Sequence, residues 1–183
     1  MPDNLVISAL GSDRPGIINR LSTVILDQDC NIADSRMTVL GGEFAIILLV
    51  SGKPAQIQAL EQRLESEQGQ LELTITSKRT GSRTVSGGQQ SCNVEAVALD
   101  HPGIVQRLTG FFADRNINIE DLDTDSYPAP HTGTAIFRLQ MRIVVPADTD
   151  IAALREQFIG FCEEMNIDAS LEADNNEHQE NIL

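Results

Sequence analysis

Aromatic and basic residues are both scarce in this sequence. Its 183 residues include no tryptophan and one tyrosine, and aromatic residues make up 4% of the chain. Lysine and arginine number 13 against 27 aspartates and glutamates, so the formal net charge is −14. That charge repels phosphate backbones and anionic lipids, and readers of single-stranded RNA need exposed aromatic rings for base stacking. The composition therefore predicts no direct contact with nucleic acid and none with a membrane surface.

Cysteines are few, and long apolar runs are missing. Cys30, Cys92 and Cys162 are odd in number and far apart, without a CxxC motif, which favours free thiols in a reducing compartment. No apolar run approaches the roughly 18 residues of a membrane-spanning helix, and the first residues do not resemble a signal peptide. We therefore expect a cytoplasmic protein.

Metal-binding and catalytic patterns are missing as well. Asp121, Asp123 and Asp125 match the start of a calcium loop, but Ser126 and Thr132 stand where that loop needs glycine and glutamate. The three histidines show no ligand spacing, and no serine has a visible catalytic partner. The sequence predicts no metal, no cofactor and no catalytic residues, and hence a protein that is not an enzyme.

What the sequence does contain is an internal repeat. Asp13-Arg14-Pro15-Gly16-Ile17-Ile18 returns 87 positions later as Asp100-His101-Pro102-Gly103-Ile104-Val105. Positions 13–34 and 100–121 share 10 identities in 22. Such self-similarity indicates one module used twice.

Each copy predicts the element order βαββαβ. Apolar alternation indicates strands, a spacing of three to four indicates helices, and Gly41-Gly42 is typical of a hairpin turn. We expect a split βαβ, or ferredoxin-like, α+β module: a four-stranded antiparallel sheet with both helices on one face. In the first copy the predicted strands are Asn4–Leu10, Asn31–Leu40, Glu43–Val50 and Gln70–Thr76, with one helix opening at Pro15 and another running from Pro54 to Gly69.

The second copy predicts the same elements, and the composition sets the domain boundaries. Residues 127–133 are an insertion where the first copy has only Gly41-Gly42. A polar, Gly- and Ser-rich stretch separates the copies, and the last ten residues are polar and acidic. The predicted organisation is a first domain at 1–78, a flexible linker at 79–91, a second domain at 92–173 and a disordered tail at 174–183.

The repeated motif itself predicts a helix start. Proline has no N–H to lose in the first helical turn, so the residue before it, Arg14 or His101, is expected to be the N-cap. Asp13 and Asp100 are short acceptors beside the free N–H groups, and the glycines leave those groups uncovered. Bare amides at a helix N-terminus attract a carboxylate. The motif also serves as a plain helix start, and the residues alone leave both interpretations open.

A βαββαβ module with Asp-x-Pro-Gly-Ile after its first strand, and Asn-Ile opening its second, resembles the ACT domain, a small regulatory module that binds amino acids. The resemblance covers about residues 4–172. It places the ligand between the loop after strand one and the start of strand two, often at a contact between two modules. The implied ligand-binding residues are Asp13, Arg14, Pro15, Gly16, Ile17, Asn31 and Ile32 in the first copy, and Asp100, His101, Pro102, Gly103, Ile104, Asn118 and Ile119 in the second.

Two such modules with no enzyme attached resemble repressors of glycine cleavage genes. That resemblance implies a glycine-responsive repressor that contacts a LysR-type activator instead of binding DNA. Because modules of this size are marginally stable alone, we also expect a homo-oligomer. Two alternatives stay open: an ACT-type subunit that regulates a metabolic enzyme in trans, and a structural oligomer whose loops are empty.

Overall fold

Two four-stranded antiparallel sheets, each with a pair of helices, carry the fold. The computed structural model describes residues 3–81 and 88–174. The chain divides into Met1–Thr84, the first unit, and Val85–Leu183, the second unit. The first unit consists of β1 (Asp3–Ser12), α1 (Ile17–Leu26), β2 (Asn31–Leu40), β3 (Glu43–Gly52), α2 (Pro54–Leu71) and β4 (Thr74–Thr80). The second consists of β5 (Gln89–Leu99), α3 (Ile104–Ala113), β6 (Asn118–Pro128), β7 (Ala135–Pro146), α4 (Ile151–Glu163) and β8 (Asp168–Ala173).

The strand order is β2-β3-β1-β4 in the first unit and β6-β7-β5-β8 in the second. Each sheet is antiparallel throughout, and each unit has the predicted order βαββαβ. Alternate residues of each central strand are buried beneath the helices, as Leu5, Ile7 and Ala9 are in β1. The intervening residues of each strand point to the opposite face of the sheet, and the described helices lie on the first face. The predicted ferredoxin-like α+β class is confirmed for both copies.

The C-terminal end of α2 differs from the prediction. Gly69 does not end the helix, which continues to Leu71, and β4 begins at Thr74 instead of Gln70. Leu71 follows Leu64 by two helical turns, and both side chains are buried. Burying a leucine contributes about 1.5–3 kcal/mol, more than the roughly 1 kcal/mol that a glycine costs inside a helix. The helix stops at Glu72, whose φ of +54° cannot continue it.

Strands take residues from both ends of the predicted linker. Thr80 pairs with Asn4 in β4, and Gln89 pairs with Pro146 in β5, because the neighbouring strands are long enough to supply ladder partners. Residues 82–87 of the predicted linker and 175–183 of the predicted tail lie outside the described residues. The division after Thr84 falls within residues 79–91.

The β2–β3 hairpin of the first unit and the β6–β7 hairpin of the second unit turn differently. Gly41 and Gly42 have φ angles of +61° and +86°, as a two-residue type I′ turn requires. In the second unit, Tyr127 and Pro128 still belong to β6. The turn beyond them is closed by the Ala129 N–H, which donates to the Thr134 oxygen at 2.8 Å. Among the described helices, none combines the length and the apolar content needed to cross a membrane.

Candidate functional site

The Pro-Gly motif forms a β-turn that ends in a helix cap. Gly16 has φ +87° and ψ −2°, and the Ile17 N–H donates to the Arg14 oxygen at 3.4 Å. These angles match the third residue of a type II turn, where proline favours the second position and glycine the third. Gly103 repeats the conformation with φ +98° and ψ −6°. The N-caps are therefore Gly16 and Gly103, and not Arg14 and His101 as predicted, because the prolines belong to the turn before the helix.

The helix that follows each turn begins with amides that its own backbone leaves unused. The first intrahelical bonds run from the Arg20 N–H to the Gly16 oxygen and from the Arg107 N–H to the Gly103 oxygen, both 3.0 Å. Among the described residues, no side chain caps α1 or α3. The N–H groups at the second and third helical positions therefore point out of the helix without an intrahelical acceptor.

Both turns are open. At Gly16 and at Gly103, no described atom beyond the adjacent residues lies within 4 Å of the place where a Cβ would stand. Ile17 and Ile104 bury their side chains in the cores of their units, so each can offer a ligand only backbone atoms. We call residues 13–19 and 100–106 the first and second helix-start corners. Each combines space with hydrogen-bond donors of the kind that a carboxylate accepts.

Arg14 joins the first corner to the C-terminal end of α2. Its guanidinium pairs with the Glu72 carboxylate and donates to the Leu71 oxygen at 2.5 Å. Arg20 donates to the neighbouring Gln70 oxygen at 2.8 Å. Arginine at the last carbonyls of a helix is favourable because they carry the negative end of the helix dipole. Sequence reasoning missed Glu72 because it placed that residue in a strand.

The second corner is held by different contacts. The Asp100 N–H donates to the Ala135 oxygen at 2.9 Å, as the Asp13 N–H donates to the Gly42 oxygen at 3.0 Å. The Ser126 hydroxyl donates to the Asp100 carboxylate at 2.7 Å. His101 Nδ1 lies 3.1 Å from the Pro102 oxygen, and that ring replaces the guanidinium of Arg14. Ser126 of β6 and Ala135 of β7 thus support this corner, a role that no pattern in the sequence had indicated.

The structure does not bring the Asn-Ile pair to the corner of its own unit. Asn31 pairs with Ser51 at one end of the strands, whereas β1 ends beside Glu43 at the opposite end of the sheet. Nine residue steps along β2 separate these two ends of the sheet, which is about 30 Å at the usual rise of a strand. Asn118 and Ile119 of β6 lie at the corresponding far end in the second unit. Within one unit, the helix start and the strand start therefore lie at opposite ends of the sheet, because α1 and α3 return the chain to the other end before the strand begins. Ligand binding by both segments stays a prediction, and it requires a contact between two modules.

The three cysteines are structural. Each is free and buried. Burial raises the pKa of the Cys162 thiol to about 11, and burial is also the main cause of the raised pKa values of Cys30 and Cys92. A thiol that stays protonated is a poor nucleophile and a poor metal ligand.

Comparison with known proteins supports this fold and motif. A family model for the ACT domain matches residues 3–78. The glycine cleavage system transcriptional repressor of Escherichia coli strain K12 is 35% identical over 177 residues, which cover 96% of this chain and 93% of that protein. A crystal structure of an unknown protein from Galdieria sulphuraria superposes with a TM-score of 0.79 at 29% identity, covering 95% of this chain and 99% of that one.

A second crystal structure, provisionally assigned to a glycine cleavage system transcriptional repressor, has a TM-score of 0.74 at 29% identity and covers 96% of this chain and 99% of its own. Two βαββαβ units, each with a Pro-Gly helix start, define a tandem ACT-domain protein. The Escherichia coli repressor, which matches this chain over nearly its full length, identifies the family within the tandem ACT-domain proteins. The chain belongs to the family of the glycine cleavage system transcriptional repressor.

Proposed function

We propose that this chain is a cytoplasmic, amino-acid-responsive regulator of transcription and not an enzyme. Glycine binds at the helix-start corners, and the bound form changes the contact of the chain with a LysR-type activator. The observation that carries the proposal is the duplicated corner, which is open at both Gly16 and Gly103 and has no side-chain cap among the described residues. Kinship with glycine cleavage repressors supports glycine as the ligand.

The chemistry of the corner suits a small zwitterion. A carboxylate at the amides of Ile18 and Asn19 gains about 0.3–1 kcal/mol when exposed and up to ~2 kcal/mol when partly buried. Asp13 and Asp100 precede the turns of the two corners, and we propose that their carboxylates face the ammonium group of the ligand. With a ceiling of about −1.5 kcal/mol per heavy atom, glycine gains at most ~7.5 kcal/mol, and an exposed corner gives far less. We expect a dissociation constant near 1 mM, about −4 kcal/mol, which suits a sensor of an abundant metabolite.

The first corner and Asn31 can meet if a second copy of the chain supplies one of them. Strand β2 is at the edge of its sheet and is exposed at all ten positions. Antiparallel pairing of two β2 strands would place the start of each beside the end of the other, where the first corner lies. We propose that a homodimer completes the site in this way, with the Asn31 carboxamide of one copy reaching the ligand held by the other.

Regulation then follows from differential affinity. A ligand shifts an equilibrium between two arrangements only by the difference in its affinity for them. Glycine held between two copies would stabilise the paired arrangement over the separated one. The activator would distinguish the two arrangements, and direct DNA binding is not required.

The test uses the second helical position of each corner. In Ile18→Glu/Val105→Glu, each exposed apolar side chain becomes a carboxylate, which suits a helix N-terminus and repels the carboxylate of a ligand. The matched control is Ile18→Gln/Val105→Gln, which has the same shape without the charge. Glycine binding would be followed by NMR titration at constant ionic strength.

We expect the glutamate variant to bind glycine about tenfold or more weakly and the glutamine variant to stay within about threefold of the parent, because two like charges about 4 Å apart repel by roughly 1–4 kcal/mol between bulk water and a protein surface. Equal affinity in the two variants would place the ligand elsewhere. If glycine, alanine and serine all fail to shift the spectrum of the parent at tens of millimolar, the sensing proposal is wrong.

A further inference from the structure

The helix-free face of the second unit differs from its counterpart in the first unit. Cross-strand register assigns the side chains, since directly paired residues point to the same face. We compare the three rows to which all four strands of both sheets contribute. In the first unit they are Asp34, Leu49, Val6 and Lys78; Arg36, Ile47, Ser8 and Thr76; and Thr38, Ala45, Leu10 and Thr74. In the second unit they are Asp121, Arg142, Asn93 and Glu172; Asp123, Gln140, Glu95 and Ser170; and Asp125, Arg138, Val97 and Asp168.

We call the second set of rows the acidic face. It carries six carboxylates and two guanidiniums, whereas the corresponding rows of the first unit carry one carboxylate and two cationic groups. The apolar centre of the first set, including Leu49 and Ile47, is replaced by arginine and glutamine. Twelve matched positions thus change from a net charge of +1 to −4, while the buried faces of both sheets remain apolar.

The same asymmetry holds for the whole chain. Residues 1–84 contain ten acidic and eight basic residues, and residues 85–183 contain 17 and five, with both lysines of the chain in the first part. The formal net charges are therefore −2 and −12. The negative charge of the molecule is concentrated in the second unit, and the acidic face presents part of it on the side of the sheet opposite the described helices.

A cleft of about 470 Å³ lies in the acidic face. Its floor contains a bond from the Gln140 amide to the Glu95 carboxylate at 2.6 Å. The Arg142 Nε lies 3.8 Å from the Glu120 carboxylate. Asp121 and Asp123 line one side, and Glu172 lines another. The groove is therefore walled by carboxylates on both sides.

We propose that the acidic face binds a lysine- or arginine-rich extended segment of a protein partner. Carboxylates on alternate residues of β6 are spaced by two strand steps, about 6.8 Å, and alternate side chains of an extended basic segment have the same spacing. Calcium needs its oxygen ligands to surround one point at roughly 2.3–2.6 Å. Carboxylates spaced along a straight strand do not surround one point, so they do not form a calcium site. The corresponding face of a second copy, with a charge of +1, would leave most of the −4 unbalanced. The inference rests on the proposed function only in that a regulator needs a protein partner.

The test compares two triple variants of the full chain that remove the same charge. Asp121→Asn/Asp123→Asn/Asp125→Asn neutralises the exposed β6 side of the acidic face. Asp114→Asn/Glu163→Gln/Glu164→Gln neutralises exposed carboxylates at the C-terminal ends of α3 and α4, where acids do not stabilise a helix. The probe is an oligolysine peptide at about 0.1 M ionic strength, where the Debye length is about 10 Å, with an uncharged peptide of equal length as the blank.

We expect the β6 triple to bind oligolysine at least about tenfold more weakly than the parent, and the helix-end triple to stay within about threefold, because exposed charges act mainly within a Debye length. Amide shifts on peptide addition should map to β6 and β7, and the difference between the triples should shrink as salt is added. Melting curves check that both triples fold.

Equal losses in the two triples would show that the probe responds only to net charge, which overturns the proposal. A dimer of the parent that the β6 triple dissociates would assign the face to a second copy and overturn it as well. Glycine titration of the same triples separates the two ideas. Unchanged glycine binding with lost oligolysine binding supports the acidic face, whereas a parent that binds oligolysine but not glycine refutes only the sensing proposal.

Discussion

At the scale of single residues, the two helix-start glycines are constrained by backbone angle and not by space. Gly16 has φ +87°, a region in which an L side chain costs about 1–2 kcal/mol, although a Cβ there would meet no described atom beyond the adjacent residues within 4 Å. Gly69 has equally free surroundings, but it lies inside α2 with ordinary helical angles. Adding a methyl group, as in a change from glycine to alanine, therefore has opposite effects on the stability of the fold at the two positions.

We predict that Gly16→Ala lowers the free energy of unfolding by about 1–2 kcal/mol. Gly69→Ala should raise it by about 0.5–1 kcal/mol, because alanine restricts the unfolded chain and favours the helix. Urea denaturation of both variants and the parent measures the difference. Equal stability of the three proteins would mean that the turn before α1 relaxes to accept a side chain.

Cysteine chemistry gives a second prediction at this scale. With the pKa of Cys162 at about 11, only about one thiol in a thousand is ionised at pH 8. A disulfide reagent that needs the thiolate should therefore react slowly with the native protein and rapidly with three thiols in urea. Rapid reaction of one thiol in the native protein would contradict the structural role assigned to the cysteines.

The sequence predicted the residues of the corner but not their conformation. Proline in a first helical turn and proline in a type II turn leave the same trace in a sequence, and only the φ of Gly16 distinguishes them. The contacts of Arg14 with Glu72 and Leu71 span more than 50 residues, so no local pattern could reveal them. Ligand binding at either corner stays a prediction.

At the scale of elements, alternation and helical spacing identified every strand and helix of both units, and errors arose at the ends. Gly69-Gln70 looked like a stop because glycine favours helix ends, yet the burial of Leu71 outweighed that preference. The position of Asn31 could have been derived from the order βαβ. A helix between two parallel strands returns the chain to the end of the sheet at which both strands begin. The order of elements therefore implies that the helix start and Asn31 of one unit lie apart, and their joint use in ligand binding stays a prediction.

A pH-dependent contact joins α2 to β4. The Arg79 side chain donates to both oxygens of Glu61, at 3.1 Å from Nε and 2.6 Å from Nη2. These hydrogen bonds lower the pKa of Glu61 below its ordinary 4.5, against a smaller opposing effect of burial. Because the folded pKa is the lower one, the contact stabilises the fold above pH 4.5 and loses its effect as the pH falls through the folded value.

We therefore predict that Glu61→Gln lowers the free energy of unfolding at neutral pH and that the gap from the parent closes in acid. Urea denaturation at a series of pH values measures both curves. Glu65→Gln, at an exposed position on the same helix, is the control. A gap that persists at the acid end would show that the glutamine disturbs packing and that the ion pair is not the cause.

At the scale of the whole molecule, the proposed site needs two copies of the chain, and subunit mixing tests this. All chains carry Val105→Glu, which silences the second corner. One chain adds Ile18→Glu, which blocks the first corner, and the other adds Asn31→Ala, which removes the carboxamide. Neither protein alone should bind glycine, because each dimer lacks one half of both of its sites.

Refolding the two proteins together should restore part of the binding. Half of the dimers are then mixed, and each mixed dimer holds one intact site, formed by the corner of the Asn31→Ala chain and the Asn31 of the Ile18→Glu chain. We expect about one quarter of the glycine sites of the Val105→Glu parent, since a two-fold interface gives the parent dimer two. The number of glycine sites per chain is obtained by measuring the glycine bound at a series of protein concentrations.

The result is sharp because the alternatives predict different numbers. If each chain completes its own site, mixing restores nothing, since no chain carries both an intact corner and Asn31. If Asn31 plays no part, the Asn31→Ala chain binds glycine without mixing. Only a site shared between copies predicts no glycine binding by either protein alone and partial recovery of binding in the mixture. Such sharing is expected because about 30 Å separate the two ends of β2.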